Sequence, residues 1–233
     1  MTFYRSLTPY YDEIFPTNIK AVNFLVSNFK QGETLLDVGA GTGNMALYLS
    51  KEGFKITATE PEEAMANQIR EKATNHSVSV FTKTMQQLDE FEEPFDGIYS
   101  IGNTLVHLNN LEEISEFIHQ VYRRLAVDGV FICQIVNFEK VLGNKDFTFP
   151  VIQKETFEFK RRYDVTGEHV LFTTTLSSAG QTFSNTTTLF PVTSKQLLPI
   201  LKESGFQTIE TYGNFEKGTY SENSPALIVV AKK

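Results

Sequence analysis

The stretch LLDVGAGTGNMALYL, residues 35–49, decides the fold of this chain. The apolar TLLDV predicts a short strand, glycines follow at positions 39, 41 and 43, and NMALYLSKEG predicts a helix that ends near Gly53. Glycines between a strand and a helix are typical of the carboxyl edge of an open α/β sheet, where ligands bind. Because glycine has no side chain, the backbone can turn tightly there and a ligand can come close to it.

Strand and helix patterns alternate on both sides of this stretch. Further strands are predicted at residues 55–60, 78–83, 95–102, 130–136, 206–213 and 226–233. Helices are predicted around Val22–Phe29, at 61–73, along the apolar stripe from Leu111 to Leu125, and at 194–205 around Pro199. This alternation predicts a Rossmann-like, doubly wound α/β fold with a mostly parallel seven-stranded sheet.

Residues 148–192 follow a different pattern, in which apolar and polar residues alternate and Thr and Phe are frequent. The pattern predicts antiparallel strands at 156–165, 169–178 and 182–192, with a turn at Ala179-Gly180. An insertion of about 45 residues is too small for a hydrophobic core of its own. The chain is therefore predicted to be one domain, 1–233, with an N-terminal helical segment at 1–30 and an antiparallel flap at 148–192.

Composition restricts the class of protein. The formal net charge is −7, and basic residues cluster only at Lys160-Arg161-Arg162, which disfavours a nucleic-acid partner. The first fifteen residues contain no apolar leader, and the longest apolar run, 226–231, is too short to span a bilayer.

The single cysteine, Cys133, allows no internal disulfide. A cytoplasmic location is therefore expected. The histidines at 76, 119 and 169 lack metal-ligand spacing, so no metal is predicted.

Glu60 is the first candidate binding residue outside the glycines. It lies 21 residues after Gly39, at the end of the second predicted strand. A carboxylate at that place can accept hydrogen bonds from both hydroxyls of a ribose, although a solvated strand end is the alternative reading. The dinucleotide pattern GxGxxG is not met, because the third glycine comes one residue early and Asn44 takes its place. A nicotinamide cofactor is therefore disfavoured, and another ribose-bearing cofactor fits.

The sequence resembles the class I S-adenosylmethionine-dependent methyltransferases. Four blocks carry the resemblance, in the order and spacing of the family: LLDVGAGTGNMALYL, ATEPEEAM, FDGIYSIGNTLVHL and LAVDGVFIC. The segment IGNTLVHL is similar to that of glycine and sarcosine N-methyltransferases. The resemblance implies S-adenosylmethionine as cofactor and transfer of its methyl group to a small-molecule acceptor by in-line displacement.

The resemblance also implies a set of cofactor-binding residues, most of which follow predicted strands. The set is Tyr11, Asp37, Gly39, Ala40, Gly41, Gly43, Glu60, Pro61, Met65, Thr84, Met85, Gln86, Ser100, Ile101 and Gly102. In the family pattern the glycine loop lines the methionine part, Asp37 holds the loop or a water on the cofactor's amino group, and Glu60 takes the ribose. Thr84 stands where relatives often have an aspartate for the adenine. Tyr11 resembles an aromatic that closes over the cofactor, where its ring could meet the sulfonium; a tyrosine that anchors the first helix is equally compatible.

Two residues are candidates for the chemistry itself. His107 lies just beyond the cofactor loop and could act as a general base, or it could brace that loop. Asn103 offers both a donor and an acceptor and is predicted to position the substrate. Arg161, Arg162 and Tyr163 could contact an anionic substrate, although a flap strand with a solvated charged face is the alternative.

Other functions remain open at this point. They are methylation of RNA or protein, a cofactor-binding protein without transferase activity, and a nicotinamide oxidoreductase. The sequence does not identify the acceptor, the nucleophilic element or the oligomeric state.

Overall fold

A computed structural model describes residues 7–143 and 147–233, apart from the side chain of Thr148. The helices are α1 (Tyr11–Ile14), α2 (Ile19–Val26), α3 (Asn44–Lys51), α4 (Glu63–Lys72), α5 (Leu111–Arg124), α6 (Phe138–Gly143) and α7 (Ser194–Glu203). The strands are β1 (Thr34–Val38), β2 (Lys55–Thr59), β3 (Val78–Phe81), β4 (Phe95–Ser100), β5 (Leu125–Val136), β6 (Phe147–Thr148), β7 (Ile152–Gln153), β8 (Phe157–Thr166), β9 (His169–Ser178), β10 (Gln181–Leu189), β11 (Thr208–Tyr212) and β12 (Ala226–Lys232). Short 3-10 turns lie at Thr8–Tyr10, Met85–Glu90 and Leu105–His107.

The main sheet, sheet A, has seven strands in the order β11-β12-β5-β4-β1-β2-β3. Strands β1 to β5 are parallel, and β12 is antiparallel to both of its neighbours. This confirms the predicted doubly wound α/β fold. The chain leaves β1 toward β2 on one side, and β4 lies on the other side, so the loops after β1 and β4 separate. A ligand site is expected at this switch point.

One local prediction was wrong, and one predicted helix contains a proline. The apolar stripe of α5 was expected to run through Leu125, but the helix ends at Arg124 and Leu125 begins β5 opposite Phe95. The backbone of Leu125 is extended, and its side chain is buried in the apolar cluster on one face of sheet A. Pro199 leaves α7 continuous. Because Pro199 and Lys195 are both exposed, water can satisfy the carbonyl that the proline cannot bond.

The second sheet, sheet B, contains the predicted antiparallel insertion. Its strands run in the order β10-β9-β8-β6, and β7 pairs with the first residues of β8. The turn between β9 and β10 is Ala179-Gly180, as predicted, and both residues have positive φ, as a two-residue hairpin requires. The short β6, β7 and α6 were not predicted: the two strands have only two residues each, and α6 has fewer than two helical turns.

Three apolar clusters position these parts. Two cover the opposite faces of sheet A. The third joins the N-terminal segment to sheet B, and its members are Leu7, Ile14, Phe157, Phe159 and Leu176, with Tyr10, Tyr11, Phe15 and Ile152 packed against them. The segment around α1 is therefore held between sheet B and the glycine loop. Cys133 is buried in β5. No helix of the described residues has the length and apolar character needed to cross a membrane.

Candidate functional site

Two adjoining cavities lie at the carboxyl ends of β1, β2 and β4. The larger, of about 390 Å³, is lined by Tyr11, Gly39, Gly41, Glu60, Pro61, Glu62, Met65, Lys83, Thr84, Met85, Gln86, Gly102, Thr104 and His107. The smaller, of about 230 Å³, is lined by Tyr11, Phe15, Pro16, Thr17, Asn18, Ala21, Asp37, Gly39, Ala40, Thr42, Asn44, Met45, Ile101, Gly102, Thr104, Gln134 and Phe215. Both share the glycine loop as a wall, so together they form one continuous candidate site.

The glycine loop is held close to β2 and to the loop after β4. The amides of Gly39 and Ala40 both donate to the carbonyl of Thr59, at 2.9 Å each. A methyl group on Gly39 would lie 2.4 Å from Thr104 Cγ2, and the φ of Gly39 is +76°. Only glycine satisfies both the space and the backbone conformation here.

Glu60 connects β2 to this loop. Its Oε2 accepts from the Gly41 amide at 2.9 Å, and its Oε1 accepts from the Glu62 amide at 3.0 Å. The side chain is only 7% exposed, and this burial raises the pKa of Glu60 to about 6. Each carboxylate oxygen keeps a further acceptor position, and the residue lines the larger cavity. The carboxylate is thus held ready for two neutral donors.

Asp37 is the second buried carboxyl group of the site. It lies at the end of β1, is 3% exposed, and its Oδ2 has no hydrogen-bond partner. Burial raises the pKa of Asp37 to about 7; the Tyr99 hydroxyl opposes this shift, and the charge of Glu60 adds to it. The Tyr99 hydroxyl faces this carboxyl group from the neighbouring strand β4, but neither it nor Asp37 Oδ2 makes a hydrogen bond of normal geometry, so a ligand in the smaller cavity can still bind Oδ2.

Helix α1 covers the glycine loop. A methyl group on Gly41 would lie 2.9 Å from Tyr11 Oη, so the tyrosine is in close contact with the loop backbone. Asp12 ties the helix down through side chains of the loop, of α3 and of α4. Its donors are Thr42 Oγ1 at 2.5 Å, Asn44 Nδ2 at 3.0 Å and Lys72 Nζ at 2.5 Å.

The loop after β4 carries Gly102 and Asn103. The Gly102 amide donates to Gln134 Oε1 at 2.8 Å. Asn103 has φ +72°; its Oδ1 accepts from the Val136 amide at 2.9 Å and its Nδ2 donates to Tyr163 Oη at 3.2 Å. Asn103 therefore connects sheet A to sheet B through both of its polar atoms.

His107 closes the 3-10 turn after this loop and lies at the exposed rim of the larger cavity. The protein around it displaces water from the ring, and this desolvation lowers the pKa of His107. A neutral imidazole at the rim of a cavity can accept a proton.

Most of the predicted site residues come together around the two cavities. They are Tyr11, Asp37, Gly39, Ala40, Gly41, Glu60, Pro61, Met65, Thr84, Met85, Gln86, Ile101, Gly102 and His107. Gly43, Ser100 and Asn103 line neither cavity. Gly43 precedes α3 at φ +82° and packs against Ile69, and the buried Ser100 donates to the Val38 carbonyl. These three support the site from behind.

Sequence reasoning missed other lining residues. They are Phe15, Pro16, Thr17, Asn18, Ala21, Thr42, Asn44, Met45, Glu62, Lys83, Thr104, Gln134 and Phe215. Thr42, Asn44, Glu62, Lys83 and Thr104 each lie next to a predicted residue, so a wider window around each block would have included them. Gln134 and Phe215 come from β5 and from the loop after β11, and no local signal links them to the glycine loop. Among the described residues no cluster of His, Cys, Asp or Glu could hold a metal ion.

Comparison with known proteins agrees with this geometry. Residues 35–129 match the family described as a methyltransferase domain. The chain is 28% identical over 218 residues to a glycine/sarcosine/dimethylglycine N-methyltransferase from Actinopolyspora halophila, covering 86% of this chain but only 36% of that enzyme. It is 26% identical over 225 residues to a glycine/sarcosine N-methyltransferase from Aphanothece halophytica, covering 90% of this chain and 80% of that enzyme.

The fold is also that of a solved methyltransferase. An S-adenosylmethionine-dependent methyltransferase from Clostridium acetobutylicum superposes with a TM-score of 0.83 at 17% identity, over 99% of each chain. Residues 35–129 thus match a methyltransferase domain, and the whole chain has the fold of a solved S-adenosylmethionine-dependent methyltransferase. The chain is also similar along most of its length to glycine/sarcosine N-methyltransferases.

Proposed function

We propose that this protein transfers the methyl group of S-adenosylmethionine to a small-molecule acceptor by in-line displacement. The main observation in support of this proposal is the pair of buried carboxyl groups, Asp37 and Glu60, beside the glycine loop. Glu60 keeps two acceptor positions on the larger cavity, which suit the two hydroxyls of a ribose. The unpartnered Asp37 Oδ2 on the smaller cavity suits an ammonium group. The two carboxyl groups thus suit the ribose and the amino group of the methionine part of the cofactor.

The remaining lining residues support the same arrangement. Met65 and Met85 offer apolar surface to an adenine, and Gln86 and Thr84 offer polar groups at its edge. Gly39 and Gly41 leave no room for a side chain between the loop and a ligand. Sites of this kind bury most of their ligand among apolar groups and orient it with a few polar ones.

When bound, S-adenosylmethionine supplies a methyl group on a sulfonium, so positioning and exclusion of water can provide much of the catalysis. The ring of Tyr11 covers the loop and would keep water from it. His107, which lines the larger cavity, would accept the proton that an amine or hydroxyl acceptor loses. Its lowered pKa keeps the imidazole neutral near pH 7, as a base must be.

A small-molecule acceptor is favoured by the relatives and by charge. Both relatives described above are named for the methylation of glycine and sarcosine, which are small amines. The formal net charge of −7 disfavours RNA. Methylation of RNA or protein, and cofactor binding without transfer, are the alternatives. A cytoplasmic location stays a prediction, supported by the single, buried cysteine.

Calorimetric titration with S-adenosylhomocysteine tests this proposal, with NADH as the control ligand. Micromolar binding of the first and none of the second would support it and would justify an acceptor screen that begins with small amines. Binding of NADH alone would contradict it. Tight binding of S-adenosylhomocysteine without turnover of any small amine, tRNA or peptide would favour the cofactor-binding alternative.

A further inference from the structure

Charged side chains on the outer face of β8 form ion pairs with each other, whereas the inner face carries a single charged side chain. Glu158, Lys160, Arg162 and Asp164 lie on its outer face and form ion pairs, Lys160 with Glu158 at 2.6 Å and Arg162 with Asp164 at 2.8 Å. Residues at odd positions point the other way, because side chains alternate along a strand. Among these, Phe157, Phe159 and Tyr163 are buried, and Arg161 lies between the last two.

Arg161 has no acidic partner in the described part of the chain. It makes no salt bridge with any described residue, and its Nε is buried without a hydrogen bond. Its guanidinium lies among three aromatic rings instead, 4.7 Å from the centroid of Phe149 and 5.9 Å from those of Phe15 and Phe159. Desolvation lowers the pKa of Arg161, but a guanidinium keeps its proton at neutral pH. The strand thus holds an uncompensated positive charge on its inner face.

A second unpartnered polar atom lies directly opposite. Thr174 of β9 pairs with Arg161, is 5% exposed, and its Oγ1 has no hydrogen-bond partner. Asn185 of β10 pairs in turn with Thr174. These three residues, the polar row, cross sheet B on one face. Apolar rows flank them, Phe159 with Leu176 and Phe183 on one side and Tyr163 with Phe172 on the other.

The polar row adjoins the candidate cofactor site through two contacts. Phe15, which touches the Arg161 guanidinium, also lines the smaller cavity. Tyr163, the next residue on the inner face of β8, bonds to Asn103, and Asn103 follows Gly102 at the wall of both cavities. Arg161, the one charged residue on the inner face of β8, therefore lies near the N-terminal segment and near the loop after β4, and both line the candidate site.

We propose that Arg161 and Thr174 bind an oxyanion, most simply the carboxylate, of the methyl acceptor, an inference that rests on the function proposed above. The Arg161 side chain is half-buried and has no acidic partner among the described residues, so an anionic ligand would stabilise its charge. The guanidinium fork donates to two oxygens of a carboxylate or a phosphate, and the threonine hydroxyl adds a third donor. The acceptor class is then an anionic small molecule whose charged end lies at the polar row.

Ligand-observed NMR on the protein saturated with S-adenosylhomocysteine tests this inference. The probes are acetate, the neutral isostere acetamide, and inorganic phosphate as a competitor. The proteins are the wild type, Arg161→Gln, Thr174→Val and, as the matched control, Arg162→Gln, which removes a neighbouring arginine from the outer face. Calorimetry with S-adenosylhomocysteine on each variant reports whether the cofactor site is intact.

We expect acetate, but not acetamide, to bind the wild type and Arg162→Gln. Arg161→Gln should weaken acetate binding about tenfold or more, because a charge-assisted hydrogen bond is lost, and Thr174→Val should weaken it less. If phosphate displaces acetate at a concentration below that of the acetate, the acceptor is a phosphorylated compound and not a carboxylic acid.

The outcomes separate the two proposals. Equal acetate binding by the wild type and Arg161→Gln, or none by either, with S-adenosylhomocysteine still bound, would overturn the oxyanion site and leave the proposed function standing. Failure of the wild type to bind S-adenosylhomocysteine would overturn the proposed function, and the acceptor assignment with it.

Discussion

Asp37 and Glu60 are both buried beside the glycine loop, but their surroundings give them different properties. Glu60 has two backbone amides as donors, which stabilise the carboxylate and limit the rise of its pKa to about 6. Asp37 Oδ2 has no such donor, and the pKa of Asp37 rises to about 7. At neutral pH the first is an anion, and the second is partly protonated until a cationic ligand favours its charged form.

Replacing Glu60 tests the ribose assignment. In Glu60→Gln the side-chain NH2 must face the backbone N–H of Gly41 or of Glu62, so one of these hydrogen bonds is lost. Only one side-chain oxygen then remains to accept hydrogen bonds from a ribose. We expect S-adenosylhomocysteine to bind more weakly by about 1–3 kcal/mol. Calorimetry at pH 7.5 measures this, with the exposed Glu63→Gln as control. Unchanged affinity in a folded variant would contradict the assignment.

Asp37 should make stability depend on pH. Its pKa is about 7 in the folded protein and near 3.8 when unfolded, so between these values the folded state holds a proton that the unfolded state has released. The free energy of unfolding therefore falls as pH rises from about 4 to 7. Asp37→Asn should remove this decrease in the free energy of unfolding. A smaller decrease should remain, because the pKa of Glu60 is also raised. Urea unfolding of the wild type and of Asp37→Asn at pH 5 and pH 8 measures this effect. If the free energy of unfolding changes equally in both proteins between the two pH values, Asp37 does not titrate in this range.

Helix α1 has only four residues and cannot be stable alone. Its position depends on Asp12, which joins it to Thr42, Asn44 and Lys72, and on the aromatic contacts of Tyr11 and Phe15. Lys72 also donates to the Thr42 carbonyl, so one lysine of α4 holds both α1 and the glycine loop. We therefore expect α1 to be the element that opens when a ligand enters or leaves the candidate site.

Loosening α1 should accelerate release of the ligand. Asp12→Asn weakens the bonds to Lys72 and Thr42, and we expect S-adenosylhomocysteine to dissociate about three- to tenfold faster, as for the loss of about 1 kcal/mol from partly exposed polar bonds. Stopped-flow displacement measures the rate. The adjacent exposed Glu13→Gln is the matched control, since no described residue bonds to its side chain. Identical rates for the two variants would show that α1 does not gate the site.

At the scale of the whole molecule, the candidate site lies where several separate parts meet. Sheet A provides the strand ends, α1 covers them, and sheet B is joined through the Asn103–Tyr163 bond and through the Phe190 amide, which donates to the Val106 carbonyl at 2.9 Å. A ligand in the cavities contacts α1 and the loops after β1, β2 and β4 at once. Binding should therefore stabilise the entire fold.

Cofactor binding should raise the unfolding temperature. At about 100 times its dissociation constant, a ligand that binds only the folded state adds about 2.7 kcal/mol. For a chain of this size that corresponds to a rise of about 5–10 °C. Differential scanning calorimetry with and without S-adenosylhomocysteine measures the shift, and NADH at the same concentration is the control. An equal shift with both ligands would contradict a specific site.

The sequence alone determined those features that depend on neighbours along the chain. Periodicity identified the strands of sheet A, the main helices and the three long strands of sheet B, because a buried face repeats every two or 3.6 residues. The glycine loop and Glu60 were predictable because close approach of a ligand leaves a local signature in residue type and spacing.

Only the tertiary structure decided which distant residues meet. It placed β12 between β5 and β11, brought Gln134 and Phe215 to the glycine loop, and turned Asn103 to a bonding role between the sheets. It also aligned Arg161 with Thr174 and left Arg161 Nε and Thr174 Oγ1 without hydrogen bonds to the described residues. These contacts join residues far apart in the chain, so their chemistry depends on strand order and register, which no local pattern encodes.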